Sequence, residues 1–291
     1  MKKIYAIICG CVLCGTLWAS TERSVASKEE AAQFFGSATY VVQTNESIVL
    51  DALLLDAAQK VWTATPYKVA DYANFQALRT DPKNSFLLIT KVADAKDKFR
   101  RKCLYVSLLV GNPKVKTDND ITEMHELGFI PLSYENTEDE RNAFLLEPLL
   151  LFVQKNAENI SKGMFAKKLI ASFETRMRVY NDNTEQLRDK TIYVAETQIG
   201  EQTDRTKLTE QLGKNLVIVP TVADLESVVT EGKNKAVIAI TIFPDNAAHG
   251  GTAYKMIVGL EGTLYYYYEE KKPKNYKFHS GDFDMWRNAY K

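Results

Sequence analysis

The sequence contains few of the residues that carry most enzyme chemistry. It has three histidines, His125, His249 and His279, in 291 residues. Histidine titrates near neutral pH and is the commonest metal ligand, so acid–base catalysis and zinc chemistry have few side chains to use. The motifs Gly-x-Ser-x-Gly, Gly-x-x-x-x-Gly-Lys, Gly-x-Gly-x-x-Gly and His-Glu-x-x-His are absent. We therefore expect no catalytic residue, no metal site and no cofactor.

Cysteine is equally scarce beyond the N-terminal segment. Cys9, Cys11 and Cys14 fall within the first 19 residues, which leaves Cys103 alone in the rest of the chain. A single cysteine cannot form an internal disulfide, so packing must stabilise the protein. Cys103 begins the apolar run CLYVSLLV, and we predict that its thiol lies in the core.

The chain has no excess of charge of either sign. Lys plus Arg and Asp plus Glu both total 37, and the pI is near 6.8. Such a chain has no general attraction for a phosphate backbone, so we expect no nucleic-acid partner. A composition of 45% hydrophobic and 25% charged residues is typical of a soluble globular protein.

Residues 1–19 have the composition of a secretory signal peptide. Lys2 and Lys3 precede an apolar run from Ile4 to Trp18, and the small residues Ala19 and Ser20 follow. The run is too short for a transmembrane span, so we predict export to the periplasm or the medium after cleavage behind Ala19. A lipid anchor on Cys11 is the alternative, because Ile8-Cys9-Gly10-Cys11 loosely resembles a lipoprotein processing site.

A strand-helix-strand pattern occurs twice, at an offset of 150 positions. Residues 217–241 align without a gap on residues 67–91, with five identical residues. Asp71 and Thr221 stand where a helix N-cap belongs, and apolar residues follow each of them at helical spacing. Both copies then enter a continuous apolar run. The repeat predicts a duplicated α/β unit, and its turns lack the glycines that a phosphate site needs.

The repeat and its flanking runs predict the domain organisation. We expect an α/β protein with α+β character, built from two related β-α-β-α-β-β modules with mixed sheets at residues 27–135 and 184–291. A helical insert at residues 136–183 joins the modules. In this insert, apolar residues at spacings of three and four positions predict one long amphipathic helix. These residues are Phe165, Leu169, Phe173, Met177 and Tyr180.

One loop has the composition of a ligand site. Residues 243–252, FPDNAAHGGT, follow the apolar strand of the second copy, and open α/β sheets bind ligands beyond the carboxyl ends of their strands. Asp245, Asn246 and His249 offer polar side chains, while Gly250 and Gly251 let a backbone approach a ligand closely. A plain hairpin connection with a Gly-Gly turn is the structural alternative.

Four consecutive tyrosines form the second weak candidate. On a strand, Tyr265 and Tyr267 face one side, while Tyr266 and Tyr268 face the other. One pair must pack inward. The other pair, Tyr266 and Tyr268, is a candidate for stacking on a sugar ring or a partner protein, because tyrosine combines an apolar ring with a polar tip. Packing within the sheet is the alternative.

These features favour an exported, non-catalytic binding or scaffold protein of the cell envelope. Its partner would be another envelope protein or an extracellular ligand held between the modules or at the loop 243–252. Two alternatives stay open. One is a two-lobed extracytoplasmic receptor for a small ligand, and the other is an exported hydrolase that uses Asp245 and His249.

Overall fold

The computed structural model describes residues 24–93, 97–115, 118–135, 141–165, 172–245, 251–271 and 275–287. The predicted signal segment 1–19 lies outside these residues. Two five-stranded sheets, flanked by eight α-helices, make up the described part of the chain. No helix within it is long and apolar enough to cross a membrane.

The first module forms one mixed sheet. Its elements are α1 (Lys28–Phe34), β1 (Ala38–Gln43), α2 (Ile48–Val61), β2 (Tyr67–Asp71), α3 (Tyr72–Leu78), β3 (Asn84–Ala93), β4 (Lys102–Val110) and β5 (His125–Tyr134). The sheet order is β2-β1-β3-β4-β5. β1 pairs in parallel with β2 and β3, and the two following pairs are antiparallel.

The insert consists of α4 (Leu146–Ser161), α5 (Phe173–Met177) and a 3₁₀ helix, Arg178–Asp189. The prediction of one long helix through Phe165 and Tyr180 was wrong, because Ser172 caps a new helix that begins at Phe173, and α5 is followed by 3₁₀ geometry from Arg178. The predicted burial is right for Phe165, Met177 and Tyr180, which are at most 5% exposed. Leu169 lies outside the described residues.

The second module repeats the topology of the first. Its elements are β6 (Thr191–Ala195), α6 (Arg205–Leu212), β7 (Leu216–Val219), α7 (Val222–Thr230), β8 (Ala236–Ile242), β9 (Ala253–Gly259), β10 (Leu264–Glu270) and α8 (Ser280–Arg287). The order β7-β6-β8-β9-β10 has the same parallel and antiparallel pairs as the first sheet. This agreement confirms the predicted pair of similar α/β modules.

Local sequence signals position the repeated strand-helix-strand unit. The side chain of Asp71 accepts a hydrogen bond of 2.7 Å from the backbone N–H of Asn74 at the start of α3. Thr221 and Asp224 form a capping box at the start of α7, with 2.8 Å between the Thr221 N–H and the Asp224 carboxylate. Both caps satisfy backbone donors that the first helical turn leaves unpaired, so both helices begin where the sequence predicts.

The two modules share one hydrophobic core. Its buried residues come from both sheets and from α4, and the hydroxyls of Tyr105 and Tyr254 meet across it at 2.6 Å. β5 of the first module contacts β8 of the second, while Tyr105 and Tyr254 belong to β4 and β9, which hold equivalent places in the two sheets. The packing between the modules thus involves both equivalent and non-equivalent strands.

The 3₁₀ helix of the insert covers the outer edge of β10. Asn181 bonds both backbone groups of Tyr267, accepting from its N–H at 2.7 Å and donating to its carbonyl at 3.1 Å. Asn183 and Thr184 donate to the carbonyls of Leu264 and Tyr265 at 2.9 and 2.8 Å. Side chains thus satisfy backbone groups that an edge strand otherwise exposes.

Candidate functional site

A cavity of about 220 Å³ lies between the modules, beyond the carboxyl ends of β6 and β8. Thr197 and Gln198 follow β6, while Thr241, Ile242 and Phe243 end β8 and continue beyond it. Val222, the first residue of α7, also lines this space. We call it the inter-module cavity. It occupies the part of an open α/β sheet where ligands commonly bind.

The opposite wall comes from the first module and the insert. Ser133 and Tyr134 end β5, and Arg141 and Asn142 lie shortly before α4. These residues are about 100 positions away in sequence from the β8 wall, so only the packing of the two modules brings the walls together.

The side-chain amide of Asn142 makes one hydrogen bond to a described residue, and this bond fixes the orientation of the amide. Its Nδ2 donates to the carbonyl of Leu132 at 2.8 Å, so Oδ1 is the remaining polar atom. The residue is 5% exposed, and Oδ1 is buried without a hydrogen-bond partner among the described residues. An amide oxygen only accepts hydrogen bonds, so Asn142 lacks a donor.

Thr241 presents a second buried oxygen. Its backbone is satisfied by Gln198, whose Oε1 accepts from the Thr241 N–H at 2.7 Å and whose Nε2 donates to the Thr241 carbonyl at 3.3 Å. The residue is 3% exposed, and its Oγ1 has no hydrogen-bond partner within the described part of the chain. A hydroxyl both donates and accepts, so Thr241 can serve either kind of group.

Two cationic side chains and an aromatic pair complete the lining. Arg141 is exposed and Lys277 is half-buried, and no acidic residue is found among the described residues that line the cavity. The rings of Phe243 and Tyr276 pack against each other with their centroids 4.6 Å apart. Val222 brings the N-terminal end of α7 to this space, but the carboxylate of Asp224 in the first helical turn offsets the partial positive charge of the helix dipole. Among the described residues, the charged side chains that line the cavity are therefore Arg141 and Lys277, both cationic.

The predicted loop lies beside the cavity and is only partly described. The side chain of Asp245 is exposed, and its carbonyl accepts a hydrogen bond of 3.3 Å from Nη1 of Arg101. Gly251 has φ 98°, and a Cβ there would come within 2.9 Å of Pro244 and 3.0 Å of Arg101. Gly251 is thus required by backbone conformation and close packing. Asn246, His249 and Gly250 lie outside the described residues.

Arg101 joins this loop to the first module. Its Nε and Nη2 donate to the two carboxylate oxygens of Asp97 at 2.8 and 3.0 Å. The bidentate pair holds the pKa of Asp97 below its ordinary value of 3.8. The carboxylate therefore stays charged and keeps Arg101 directed towards the Asp245 carbonyl.

The tyrosine strand is more buried than a stacking platform requires. Tyr266 is 1% exposed, and its hydroxyl donates to Asp282 of α8 at 2.8 Å. The proposal that Tyr266 offers a ring at the surface is corrected, because α8 covers that face of β10. Tyr268 is half-buried, with the guanidinium of Arg178 5.3 Å from its ring centroid.

Metal and hydrolase chemistry find no further support in the described residues. They contain no group of three or more His, Cys, Asp and Glu side chains arranged to hold a metal ion. The hydrolase interpretation depends on His249, which lies outside them, and it stays a prediction.

The sequence indicated the carboxyl end of β8 as a binding region but did not single out Thr241, Asn142 or Lys277. Thr241 is a polar residue within the apolar run 236–243, and that interruption was an available signal. Nothing in the sequence indicated that Asn142 or Lys277 would lie near it. Comparison with protein-family models, with curated proteins and with solved structures found no significant match to this chain.

Proposed function

We propose that the chain is an exported, non-catalytic binding protein that holds a small polar ligand in the inter-module cavity. The observation that supports it is that Asn142 and Thr241 both line this cavity, and each carries a buried side-chain oxygen, Oδ1 and Oγ1, without a hydrogen-bond partner among the described residues. This is the two-lobed receptor among the alternatives that the sequence leaves open.

Buried polar groups in proteins are almost always hydrogen-bonded. Leaving one such group without a partner costs about 1–3 kcal/mol. Two unpaired oxygens beside one cavity therefore form a locally unfavourable arrangement that a bound molecule can relieve. A ligand with a donor for Asn142 and a donor or acceptor for Thr241 satisfies both.

The position of the cavity couples binding to the packing of the modules. One wall belongs to the second module and the other to β5 and the insert, so a molecule in the cavity contacts both. The cavity has a volume of about 220 Å³. It suits one small molecule rather than a peptide.

A thermal-shift screen of the mature protein against small polar metabolites tests this proposal. We expect at least one compound to raise the Tm in proportion to the logarithm of its concentration. Thr241→Val keeps the side-chain shape but removes the hydroxyl, so it should abolish that shift while leaving the free protein equally or more stable.

The matched control is Thr90→Val. Thr90 is also buried, at 5% exposure, but its hydroxyl pairs with Ser107 at 2.8 Å within the first sheet. Its replacement should lower the Tm and preserve the ligand-induced shift. A screen without any stabilising compound, or a shift that survives in Thr241→Val, contradicts the proposed site.

Export is supported by the composition of residues 1–19 alone. Mass spectrometry of the protein from its native host should show a mature chain that begins at Ser20. An acylated Cys11 would instead establish the lipid-anchored alternative, and an intact Met1 would refute export through this segment.

A further inference from the structure

We infer that the ligand of the inter-module cavity is a small hydroxylated anion, a carboxylate or a phosphate ester that carries at least one hydroxyl group. This inference rests on the proposed function and adds the chemical class of the ligand. It is based on the charges that line the cavity and on the hydrogen-bonding capacity of its two unpaired oxygens.

The charges that line the cavity are all positive among the described residues. Lys277 is half-buried and forms no ion pair with any described residue, and Arg141 lies on the opposite wall. A partly desolvated ammonium group gains most from an anionic partner, because water screens the pair less there than at the surface.

The unpaired oxygens specify the uncharged part of the molecule. Asn142 Oδ1 accepts only, because its Nδ2 is already bonded to Leu132, so the ligand must offer it a donor. A hydroxyl group supplies that donor. Thr241 Oγ1 then donates to an oxygen of the ligand or accepts from a second hydroxyl.

The apolar part of the lining strengthens these contacts. Ile242 and Val222 lie beside the polar atoms, and the Phe243–Tyr276 ring pair forms one side of the cavity. Apolar walls lower the local dielectric constant, which strengthens charge-assisted hydrogen bonds relative to water. The rings also provide a flat surface on which a sugar carbon skeleton can pack.

The test compares anions with their neutral parents by isothermal titration calorimetry on the mature protein. The probe pairs are glycerol 3-phosphate and glycerol, glucose 6-phosphate and glucose, and lactate and lactamide. We expect measurable binding of at least one anion and binding at least about tenfold weaker for its neutral parent. Comparison of the affinities for the two phosphate esters with the affinity for lactate shows which acidic group the site prefers.

Two lysine variants test whether Lys277 supplies the positive charge that binds the anion. Lys277→Gln should weaken binding of the selected anion about tenfold or more, whereas Lys214→Gln should leave it unchanged. Lys214 is an exposed lysine that precedes β7, at the end of the strand opposite to the cavity. A Lys277 that only supports the fold would lower the Tm without changing the preference for the anion over its parent.

The outcomes separate the inference from the proposed function. If a neutral parent binds as tightly as its anion and Thr241→Val abolishes both, the anionic class is wrong and the binding site stands. If no probe binds and Thr241→Val only stabilises the protein, both are overturned.

Discussion

At the scale of single residues, the least ordinary contact is a lysine without solvent exposure. Lys255 of β9 is 0% exposed, and its Nζ lies 2.9 Å from Oδ2 of Asp282 in α8. Asp282 also accepts from the hydroxyl of Tyr266 at 2.8 Å and from the N–H of His279 at 2.9 Å. These bonds offset part of the desolvation of both charges and attach α8 to the sheet.

Removal of the negative charge from this pair should destabilise the protein strongly. Asp282→Asn retains an acceptor oxygen but leaves Lys255 charged and buried, so we expect the free energy of unfolding to fall by about 3–5 kcal/mol. Urea denaturation measures this change. The double variant Lys255→Met with Asp282→Asn removes the unpaired charge and should recover most of the loss; an equal loss in both variants would show that the pair contributes nothing specific.

Cys103 and the tyrosine strand show which predictions about single residues the sequence supports. Cys103 is 2% exposed, as its place at the start of an apolar run predicts, and burial raises the pKa of its thiol. Alternation assigned Tyr266 correctly to a face of β10 that differs from the face of Tyr267, but it was wrong for Tyr265, which packs in the same cluster as Tyr266 because the register shifts between Leu264 and Tyr266. It could not reveal that α8 covers that face, because the covering depends on a pair formed by Lys255 and Asp282.

At the scale of elements, the 3₁₀ helix Arg178–Asp189 covers the outer edge of β10, the last strand of its sheet. Asn181→Ala removes both bonds to the backbone of Tyr267 and leaves its N–H and carbonyl unpaired. We expect a loss of about 1–3 kcal/mol in the free energy of unfolding, together with more aggregation during refolding, because an uncovered edge strand can pair with another chain.

Glu185→Ala provides the control for that variant. Glu185 lies on the same 3₁₀ helix with an exposed side chain, so its replacement should change neither stability nor light scattering appreciably. Equal behaviour of the two variants would mean that the covering contacts do not stabilise β10.

Local signals explain why some elements were predictable and one was not. The caps at Asp71 and Thr221 lie next to the helices that they begin, so their effect can be read within four residues. The insert has helical spacing across Phe165, Phe173 and Tyr180, but Ser172 leaves helical geometry and caps a new helix at Phe173. Spacing alone did not distinguish one helix from shorter helices that place the same residues in the core.

At the scale of the whole molecule, the shared core should make the two modules unfold together. Trp62 belongs to the first module and Trp286 to α8 of the second, and both are buried, at 6% and 0% exposure. Trp62→Phe and Trp286→Phe each leave one of these two reporters. In each variant, the fluorescence midpoint in urea should coincide with the midpoint measured by circular dichroism.

Separate midpoints for the two probes would contradict that expectation. If the remaining tryptophan of one variant reports a transition well before the loss of secondary structure, its module unfolds independently. The hydroxyl pair of Tyr105 and Tyr254 would then join two autonomous domains rather than one cooperative unit.

The candidate site is formed by residues from both modules and the insert, so only part of it could be predicted from the sequence. The rule for open α/β sheets indicated the carboxyl end of β8, where Thr241 lies. Asn142 joins it from the insert, which packs against the second module, whereas Lys277 follows β10 within the second module itself. A repeat in the sequence predicts two modules without specifying which of their surfaces meet.

The 3₁₀ helix Arg178–Asp189 also limits the growth of the second sheet. β10 is the last strand of the order β7-β6-β8-β9-β10, and the side chains of Asn181, Asn183 and Thr184 bond backbone groups that a further strand would use. This helix serves as a terminal cap, of the kind that ends a repeat array.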